Sequence, residues 1–514
     1  MPAPNLPADD PDALNNLANR LKDEQHFEQA ESLYRQALAL RPEFPQALNN
    51  LGNLLRNQGE LAAASDLLQR ASDIWPEQPD IRNNLAVALH DSQRFDEAEA
   101  HFRTILEGNP THLQALNNLG NLLKDLRRPQ EAMVAYRRVL ALAPEHADAR
   151  WNLGLLHLQR GDYRHGWALY EARHDPRRQV REVFPPVVNS APWRGEMLNG
   201  KHLLVWHEQG IGDEIQFARF IPDLRDRFAA ERITLVCKPP LTRLLRTLSG
   251  VDQVLPLGAT LPGHDLWVLS GSLPGRFGCT LATLPGRLPY LQAIPADCAK
   301  WRQRLPANGR LRVGLVWAGS RWHKNDRNRS LPDLSLLAPL WQVEGIDFYS
   351  LQKSPPDDSA TFQASAPPPG QPLIHLGAET ADFADSAALL GELDLLISVD
   401  TAIVHLAGAL GRPCWVLLPW QGCDWRWLEN GSDTPWYPGS LRLFRQAAEG
   451  GWAPLIGQVA AALRHWQARQ LALRRRIGEL PEAGLSAFAA VLERLEAGKS
   501  DITQRSSNPP LSGS

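Results

Sequence analysis

A carboxylate lies where a predicted strand gives way to a predicted helix, in the segment HEQGIGDEIQFARF that follows the apolar run 201–206. Gly210 and Gly212 permit a tight turn, and Asp213 then falls in the first turn of the helix. One interpretation is structural, since an acidic side chain at a helix N-terminus is stabilised by the helix dipole. The other is catalytic, since a carboxylate at the rim of a cleft can take a proton from an acceptor hydroxyl.

A basic loop follows the apolar run 312–317, in the segment WAGSRWHKNDRNRSLP. Basic side chains at the carboxyl end of a strand suit a nucleotide diphosphate, whose charge has to be neutralised as the leaving group departs. The alternative is a solvated loop without a ligand. The basic side chains are Arg321, Lys324, Arg327 and Arg329.

The segment SVDTAIVHLAGALGRP has the pattern of a strand that ends at Asp400 and a short helix that Thr401 can cap. The first amides of that helix, at Thr401, Ala402 and Ile403, would form an anion site. His405 lies about one turn into the helix, near enough to assist a phosphate. The alternative for His405 is a buried packing residue, because the helix around it is small and apolar.

Two further groups of side chains lie at or after predicted strands. Gln352 and Lys353 end the apolar run that begins at Ile346 and are candidate nucleotide contacts. The segment WQGCDWRWLENGSDTPWYPG is rich in tryptophans, which can either stack on a nucleobase or sugar ring or cover a sheet. Asp424 and Arg426 in the same segment can pair with each other. The tryptophans are Trp420, Trp425, Trp427 and Trp436.

Elements that could position these side chains are predicted from residue 200 onward, where short apolar runs alternate with amphipathic segments. This pattern is typical of parallel sheets covered by helices, and loops at the carboxyl ends of such strands converge on a shared crevice. The Pro- and Gly-rich stretch 284–310 separates two sets of runs, which predicts two α/β lobes. The first set comprises 201–206, 233–237 and 265–270, and the second comprises 312–317, 346–352, 373–377, 393–400, 414–419 and 441–445.

The first third of the chain repeats every 34 residues, which is the period of the tetratricopeptide repeat (TPR). Small residues recur where the two helices of each repeat must approach, and a bulky residue and a proline recur in phase with them. Each unit is a helical hairpin that buries its apolar face against its neighbours, so we expect a solenoid with a concave surface. The repeats open at LNNLAN, LNNLGN, RNNLAV, LNNLGN and RWNLGL, which begin at Leu14, Leu48, Arg82, Leu116 and Arg150.

An asparagine recurs at the same place in the first helix of every repeat. In TPR proteins this position faces the concave groove, where side-chain amides could hold an extended peptide by its backbone. The alternative is that the asparagines make hydrogen bonds within each repeat and cap turns. They are Asn16, Asn50, Asn84, Asn118 and Asn152.

The composition argues against several classes of protein. Lys and Arg total 54 against 57 Asp and Glu, a formal net charge of −3, so no overall charge favours nucleic acid or an anionic membrane as the partner. The five cysteines are scattered without CxxC spacing, which argues against a disulfide framework or a zinc site. The first residues lack the pattern of a secretory signal, and no apolar run approaches the roughly 18–20 residues of a membrane span. We therefore expect a cytoplasmic protein.

The DTAIVHLAGALGRP segment and the QGIGDEIQFARF turn resemble the heptosyltransferase-like glycosyltransferases (family nine), especially the bacterial members fused to TPR arrays. The resemblance covers about residues 10–465. It implies a GT-B fold of two Rossmann-like lobes and transfer from a nucleotide-diphosphate sugar with inversion at the anomeric carbon. By position it implies a catalytic base at Asp213, a donor-phosphate lysine at Lys324, and donor-binding residues at Asp400, Thr401, Ala402 and His405.

We therefore expect an inverting hexosyl- or heptosyltransferase whose acceptor, a protein being one option, is recruited by the TPR array. Lys324, Arg327 and Arg329 would balance the charge of the donor. No cluster of carboxylates resembles a divalent-metal site, so we expect no metal or other cofactor and an activity that survives EDTA. Ala402 stands where the family usually has Gly, and the basic loop is spaced differently, which leaves the donor sugar, its nucleotide and the acceptor open. The alternatives are a TPR scaffold that carries an inactive or sensing GT-B domain, and a TPR protein with an unrelated phosphate-handling domain.

The predicted domain organisation follows from these features. A TPR solenoid of about five repeats spans 11–176, and an α/β GT-B domain follows, with an acceptor-side lobe at 177–300 and a donor-side lobe at 301–466. C-terminal helices are predicted over 467–498, and disordered tails at 1–10 and 499–514.

Overall fold

The computed structural model describes residues 9–321, 323, 325–353, 373–447 and 451–478, without the side chains of the last two. Lys324, the tail segments 1–8 and 499–514, and residues 479–498 of the predicted C-terminal helices lie outside the described residues. The chain divides into two compact units, here named the repeat unit (Met1–Leu156 with Arg177–Gln179) and the sheet unit (His157–Pro176 with Val180–Ser514).

Successive helices build the repeat unit and follow the 34-residue period predicted from the sequence. Proline stands in the first turn of several of them, where its missing N–H costs no hydrogen bond. The helices are α1 (Pro11–Asp23), α2 (Phe27–Leu40), α3 (Pro45–Gln58), α4 (Leu61–Ile74), α5 (Pro79–Asp91), α6 (Phe95–Gly108), α7 (Leu113–Asp125), α8 (Pro129–Leu142) and α9 (Ala147–Gln159), of which α9 runs on into the sheet unit.

Small residues lie where the two helices of a repeat touch. A Cβ atom on Gly52 would lie 2.7 Å from the side chain of Leu68, and one on Gly120 would lie 2.5 Å from the ring of Tyr136. Contacts that short essentially never occur with real Cβ atoms, so the side chain of Leu68 or Tyr136 would have to shift if the glycine facing it were replaced. The small and bulky residues that recur in the sequence are therefore packing partners across one hairpin.

The first sheet of the sheet unit consists of β1 (Ala191–Pro192), β2 (His202–Trp206), β3 (Arg232–Cys237), β4 (Gln253–Pro256) and β5 (Leu266–Leu269). The strands are parallel and lie in the order β1-β5-β2-β3-β4. Leu203 pairs with Leu266 on one side and with Ile233 on the other, so β2 is central in the sheet. The side chains of Leu203, Leu204 and Val205 are fully buried, as expected for a parallel strand covered on both faces.

The second sheet consists of β6 (Leu311–Val316), β7 (Ile346–Ser350), β8 (Leu373–His375), β9 (Leu395–Val399), β10 (Cys414–Leu418) and β11 (Leu441–Arg445). These strands are also parallel, in the order β11-β10-β9-β6-β7-β8. The strands β7 to β11 fall within apolar runs of the second predicted set, and β6 begins one residue before its run.

The helices of the sheet unit follow or flank these strands. One buried cluster joins Leu315, Ile397 and Leu417 of the second sheet to Leu455 and Val459 of the last described helix. The helices are α10 (Tyr163–Tyr170), α11 (Ile211–Phe217), α12 (Leu224–Phe228), α13 (Thr242–Leu245), α14 (Leu273–Arg276), α15 (Pro295–Arg304), α16 (Asp326–Arg329), α17 (Ala338–Trp341), α18 (Phe383–Gly391), α19 (Ala402–Ala409) and α20 (Trp452–Gly478). In the part of the chain that the structure describes, no helix has both the length and the apolar character needed to cross a bilayer.

Candidate functional site

Two strand-to-helix turns meet in the sheet unit, one leading from β2 into α11 and the other from β9 into α19. A Cβ atom on Gly212 would lie 2.8 Å from Cδ2 of His405 and 3.5 Å from Cα of Ala402. The first turns of α11 and α19 are therefore in direct contact, and glycine is the residue that allows it. The structure thus brings Asp213 into the same neighbourhood as Asp400 and His405, three of the residues singled out in the sequence.

Asp213 is held from two sides. Its Oδ2 accepts the backbone N–H of Gly210 at 2.8 Å, and its Oδ1 accepts a hydrogen bond from the guanidinium of Arg426. The side chain is 17% exposed. Burial raises the pKa of Asp213 above its ordinary value, although Arg426 opposes the shift. A carboxylate of raised pKa that is kept ionised by a neighbouring cation is suited to accept a proton.

Arg426 is the centre of the polar network at this site. It donates to Asp213 and Gln216 of α11, and it pairs with both oxygens of Asp424 at 3.0 Å. Its guanidinium also lies 4.5 Å from the ring centroid of Trp425. The sequence predicted only the pair with Asp424. The pairing with Asp213 joins residues from opposite ends of the sheet unit, and no local sequence pattern signals it.

Asp400 is hydrogen-bonded to a tryptophan, and its role in donor binding stays a prediction. Its Oδ2 accepts the indole N–H of Trp427 at 2.8 Å, and burial, together with the charge of Asp424, raises the pKa of Asp400 to about 6. Thr401 stands at the N-cap position of α19, as predicted, but its hydroxyl makes no capping hydrogen bond and lies 3.2 Å from Ser398 Oγ. The backbone N–H groups of the first turn of α19 therefore have no cap from the Thr401 side chain.

His405 is buried, with 6% of its surface exposed. Its Nδ1 lies 3.0 Å from the hydroxyl of Tyr437, and its ring stacks on Trp427 with centroids 5.4 Å apart. Burial lowers the pKa of His405 to about 3, with the charge of Arg426 acting in the same direction, so the imidazole is neutral near pH 7. This environment is the one expected if His405 is a buried packing residue. A role in donor binding stays a prediction, and it would have to use a neutral ring.

The basic loop after β6 is organised by Arg329. Its side chain is 14% exposed and reaches Asp326 at 3.2 Å, the carbonyl of Ser320 at 3.4 Å and the carbonyl of Asp400 at 3.3 Å. Arg329 therefore joins the loop to the end of β9 instead of pointing into solvent. Arg327 is exposed on α16. Lys324, the predicted donor-phosphate residue, lies outside the described residues.

Gln352 and Lys353 are also used within the fold. Gln352 Oε1 accepts the backbone N–H of Ala318 at 3.1 Å, which ties the end of β7 to the end of β6. Lys353 Nζ donates to the carbonyl of Thr380 at 2.9 Å. Both residues position loops at the carboxyl edge of the second sheet, and a nucleotide contact by either would be additional to that task.

The tryptophans of the 420–439 segment are mostly core residues. Trp425 is 6% exposed, and Trp427 and Trp436 are fully buried. The indole N–H of Trp436 donates to the hydroxyl of Tyr163 at 2.8 Å. The alternatives for this segment were stacking on a nucleobase or sugar ring and packing within the fold. These three side chains pack within the fold, because a ring with little or no exposed surface cannot stack on a nucleobase.

The turn that precedes Asp213 is held by a buried ion pair that the sequence analysis did not identify. Arg173, which follows α10, bonds both oxygens of Glu208 at 2.7 and 2.9 Å, and neither side chain has exposed surface. Arg173 also donates to Ser272 Oγ at 2.7 Å. Its only sequence signal is an arginine near the end of the fifth predicted repeat.

Glu214, the neighbour of Asp213 in α11, is a second buried acid. Burial raises the pKa of Glu214 to about 7, and its Oε2 accepts the backbone N–H of Lys238 at 3.0 Å. It faces His207, with 3.7 Å between His207 Nδ1 and Glu214 Oε1. Asp213 is the more accessible of the two acids, since the side chain of Glu214 is 3% exposed.

The asparagines of the repeat unit bond from one repeat to the next. The side-chain N–H of one asparagine donates to the amide oxygen of an asparagine in the preceding repeat, and this explains their recurrence better than bonds within a repeat. One N–H of each donor is thereby occupied, while Asn16, in the first repeat, is exposed. The bonds run from Asn50 to Asn15 (3.0 Å), from Asn84 to Asn49 (2.8 Å), from Asn118 to Asn83 (3.1 Å) and from Asn152 to Asn121 (2.9 Å).

Comparison with known proteins confirms the repeats. Two family models, both described as tetratricopeptide repeat, match residues 15–79 and 77–145. Protein FlbA of Caulobacter vibrioides is 29% identical over 330 residues, a match that covers 59% of this chain and 52% of that protein. The chain thus spans about half the length of this curated relative.

Solved TPR structures resemble about a third of the chain. MamA is 17% identical over 30% of this chain and 91% of its own, with a TM-score of 0.27. YrrB, titled a TPR protein with an unusual peptide-binding site, is 22% identical over 33% of this chain and 87% of its own, also with a TM-score of 0.27. PilF of Pseudomonas aeruginosa is 19% identical over 33% of this chain and 78% of its own, with a TM-score of 0.30.

Proposed function

We propose that the sheet unit is an inverting glycosyltransferase of GT-B type that moves a sugar from a nucleotide-diphosphate sugar to an acceptor hydroxyl. The observation that carries the proposal is the contact between the first turn of α11, which bears Asp213, and the first turn of α19, next to Asp400. A proton acceptor and a helix N-terminus suited to a phosphate are thereby placed side by side at the ends of parallel strands. The resemblance of both segments to family nine supports the same assignment.

In this proposal the donor diphosphate lies against the first amides of α19, at Thr401 and Ala402. Helix N-termini attract phosphate because their first N–H groups have no partner within the helix. Arg327, which is exposed on α16, and Lys324 would balance the remaining charge. Arg329 would act indirectly, by holding the loop that carries them against the end of β9.

Asp213 is the proposed base. The acceptor O–H gives its proton to the carboxylate, and the oxygen forms a bond to the anomeric carbon from the face opposite the diphosphate. The bond from that carbon to the phosphate oxygen breaks, and its electron pair leaves with the nucleotide diphosphate, so the configuration inverts. Arg426 would keep Asp213 ionised before the proton arrives, while burial makes the carboxylate a stronger base than a solvated one.

The TPR repeats support a role as a protein-interaction scaffold. We propose that a protein partner docks on the array and that the array recruits the acceptor. Asparagine bonds between repeats use one N–H per donor residue, so the second N–H of each donor and the amide oxygens of Asn84 and Asn118 would remain for a peptide backbone. The match to FlbA covers more of this chain than the repeats account for, which supports a fused architecture.

A thermal-shift screen of the full chain against UDP-, GDP-, ADP-, CMP- and dTDP-sugars tests the proposal. A donor present at about 100 times its dissociation constant should stabilise the fold by about 2.7 kcal/mol, a rise of a few degrees. Lys324→Ala should lose the response, while Lys201→Ala, an exposed lysine at the start of β2, should keep it. Stabilisation by nucleotides without any sugar preference would favour an unrelated phosphate-handling domain.

A second candidate is a TPR scaffold whose sheet unit senses nucleotide sugars without transferring them. It is favoured by the engagement of Asp213 with Arg426 and of His405 with Tyr437, which leaves these side chains occupied by the protein itself. Donor binding without hydrolysis or transfer would support this candidate. Slow release of free sugar from the bound donor would support the transferase instead.

A further inference from the structure

Two histidines and an aspartate come together in the turn between α9 and α10. His157 Nδ1 lies 2.7 Å from one oxygen of the Asp162 carboxylate, and His165 Nδ1 lies 2.9 Å from both of its oxygens. The three possible ligand atoms all lie within 4.8 Å of one another. Across the described residues this is the one such group of three histidine, cysteine or carboxylate side chains.

We infer that this group is a binding site for a divalent transition-metal ion, with Zn²⁺ as the best match. Imidazole nitrogen and carboxylate oxygen together are ligands that zinc prefers, whereas calcium and magnesium are bound by oxygen alone. Three protein ligands leave a position for water, which is the arrangement of an open zinc site rather than a closed one.

The exposed fraction of the three ligand side chains increases from His157 through Asp162 to His165. The side chain of His157 is 12% exposed, that of Asp162 is 38% exposed and that of His165 is 69% exposed. An ion can therefore enter from solvent onto a carboxylate that two imidazoles already face.

Asp162 can bind an ion without giving up its structural task. It is the N-cap of α10, and its Oδ1 accepts the backbone N–H of His165 at 3.4 Å. The other oxygen, Oδ2, is the one nearest to His157. Metal binding at Oδ2 would leave the cap in place and would join the last turn of α9 to the first turn of α10.

No sequence pattern indicated this site, because the ligands are five and three residues apart across a helix–turn–helix junction. That spacing fits neither a CxxC pair nor two histidines on one helix face. The expectation of no metal was based on the absence of a carboxylate cluster, and the argument against zinc on the absence of CxxC pairs. Neither pattern describes a site built mainly from histidine.

Calorimetric titration of the full chain with Zn²⁺ tests the inference, using protein without a histidine tag from which metal has been removed by chelation. We expect saturable binding by the wild type, and Co²⁺ in place of Zn²⁺ should show the visible absorption of a histidine-bound ion. His165→Asn, an exposed change, should weaken binding by more than about 10-fold. The double variant His157→Asn/His165→Asn should show no saturable binding, with circular dichroism verifying that it is folded.

His90→Asn is the matched control. His90 also bonds a carboxylate, that of Asp125 at 3.0 Å, but without a second histidine, so this variant should bind Zn²⁺ as the wild type does. The inference is overturned if the double variant binds Zn²⁺ as tightly as the wild type, or if His90→Asn weakens binding as much as His165→Asn. Since metal binding is measured directly, its failure would leave the proposed sugar transfer untouched.

Discussion

At the scale of single residues, Arg426 connects the acidic groups of the candidate site. Its side chain is 7% exposed and pairs with Asp213 and with Asp424. Removing charges from water is costly, and an ion pair compensates that cost only when its geometry and hydrogen bonds are good. Here the guanidinium also donates to Gln216, so the site depends on one cation having all of its partners in place.

Arg426→Met is expected to lower the free energy of unfolding by about 1–3 kcal/mol, because it leaves the partly buried carboxylates of Asp213 and Asp424 without their cation. Denaturant unfolding of the wild type, Arg426→Met, Asp424→Asn and the double variant measures the effect and its coupling. Arg426→Lys keeps the charge but loses the planar guanidinium fork, so its free energy of unfolding should lie between those of the wild type and Arg426→Met. An Arg426→Met protein as stable as the wild type would show that the network does not support the fold.

Asp400→Asn should change how stability depends on pH. Burial and the charge of Asp424 raise the pKa of Asp400 to about 6, against about 3.9 in an unfolded chain. The folded state therefore favours the protonated acid, whose stabilising contribution is complete below about pH 4 and is lost as the pH rises through about 6. From pH 4 to pH 7 the variant should gain about 2–3 kcal/mol relative to the wild type. Denaturant unfolding measured from pH 4 to pH 7 tests this prediction. A constant difference in free energy of unfolding between Asp400→Asn and the wild type would contradict the raised pKa of Asp400.

The candidate residues could be found from the sequence only where local pattern determines position. A strand followed by a Gly-rich turn places Asp213 at a strand end, and the same logic places Asp400 before α19. The cation that pairs with Asp213 could not be predicted, because Arg426 lies in the 420–439 segment, which meets α11 only in the folded chain. The neutral state of His405 likewise depends on Tyr437 and Trp427, which no spacing rule relates to it.

At the scale of elements, the close contact of α11 with α19 depends on Gly212. Gly212→Ala would place a Cβ atom 2.8 Å from His405 and should destabilise the protein by about 1–3 kcal/mol. Gly457→Ala is the matched control, since it lies in α20 with no atom within 4 Å of the new Cβ. The control should be neutral or stabilising by up to about 1 kcal/mol, through helix propensity. Equal effects in thermal unfolding would mean that the two helices are not tightly packed at Gly212.

The asparagine bonds should couple adjacent repeats energetically. In a double-mutant cycle of Asn49→Ala and Asn84→Ala, we expect a coupling free energy of about 0.5–1.5 kcal/mol, the value of one hydrogen bond. Asn49 and Asn118 are not bonded to each other, so the same cycle on that pair should give a value near zero. If both cycles gave zero, the asparagines would not be holding the repeats together, and recurrence for peptide binding would be the better explanation.

The elements themselves follow closely from the sequence, because hydrophobic period and turn residues are local properties. Most of the observed strands coincide with apolar runs predicted as strands, although β3 and β6 begin one residue earlier and β1 and β4 were not predicted. The repeat period locates α1 to α9. The partners of the asparagines were not predictable, since they depend on how repeats stack. Among the described side chains, Asn117 Oδ1 is buried without a hydrogen-bond partner, because Asn152 bonds to Asn121 instead and interrupts the ladder.

At the scale of the whole chain, the division into compact units falls inside the fifth repeat. Helix α10 belongs to the sheet unit, where the rings of Trp167 and Tyr170 meet Trp425 edge-on at 5.4 and 6.0 Å. Arg173 then pairs with Glu208 in the turn before Asp213. The sequence places the boundary at 176, where the repeat period ends. The period identifies the two helices of each hairpin, but it does not indicate the surface on which the last helix packs.

We propose that Asp213 is the base of a sugar transferase, and the kinetics of Asp213→Asn test this role. With the donor identified by the thermal-shift screen, we expect turnover to fall by about 10²–10⁴-fold while donor affinity stays nearly unchanged. Asp226→Asn, an exposed aspartate on the neighbouring α12, should have wild-type turnover. Normal turnover in Asp213→Asn would contradict the proposed role of Asp213 as the catalytic base.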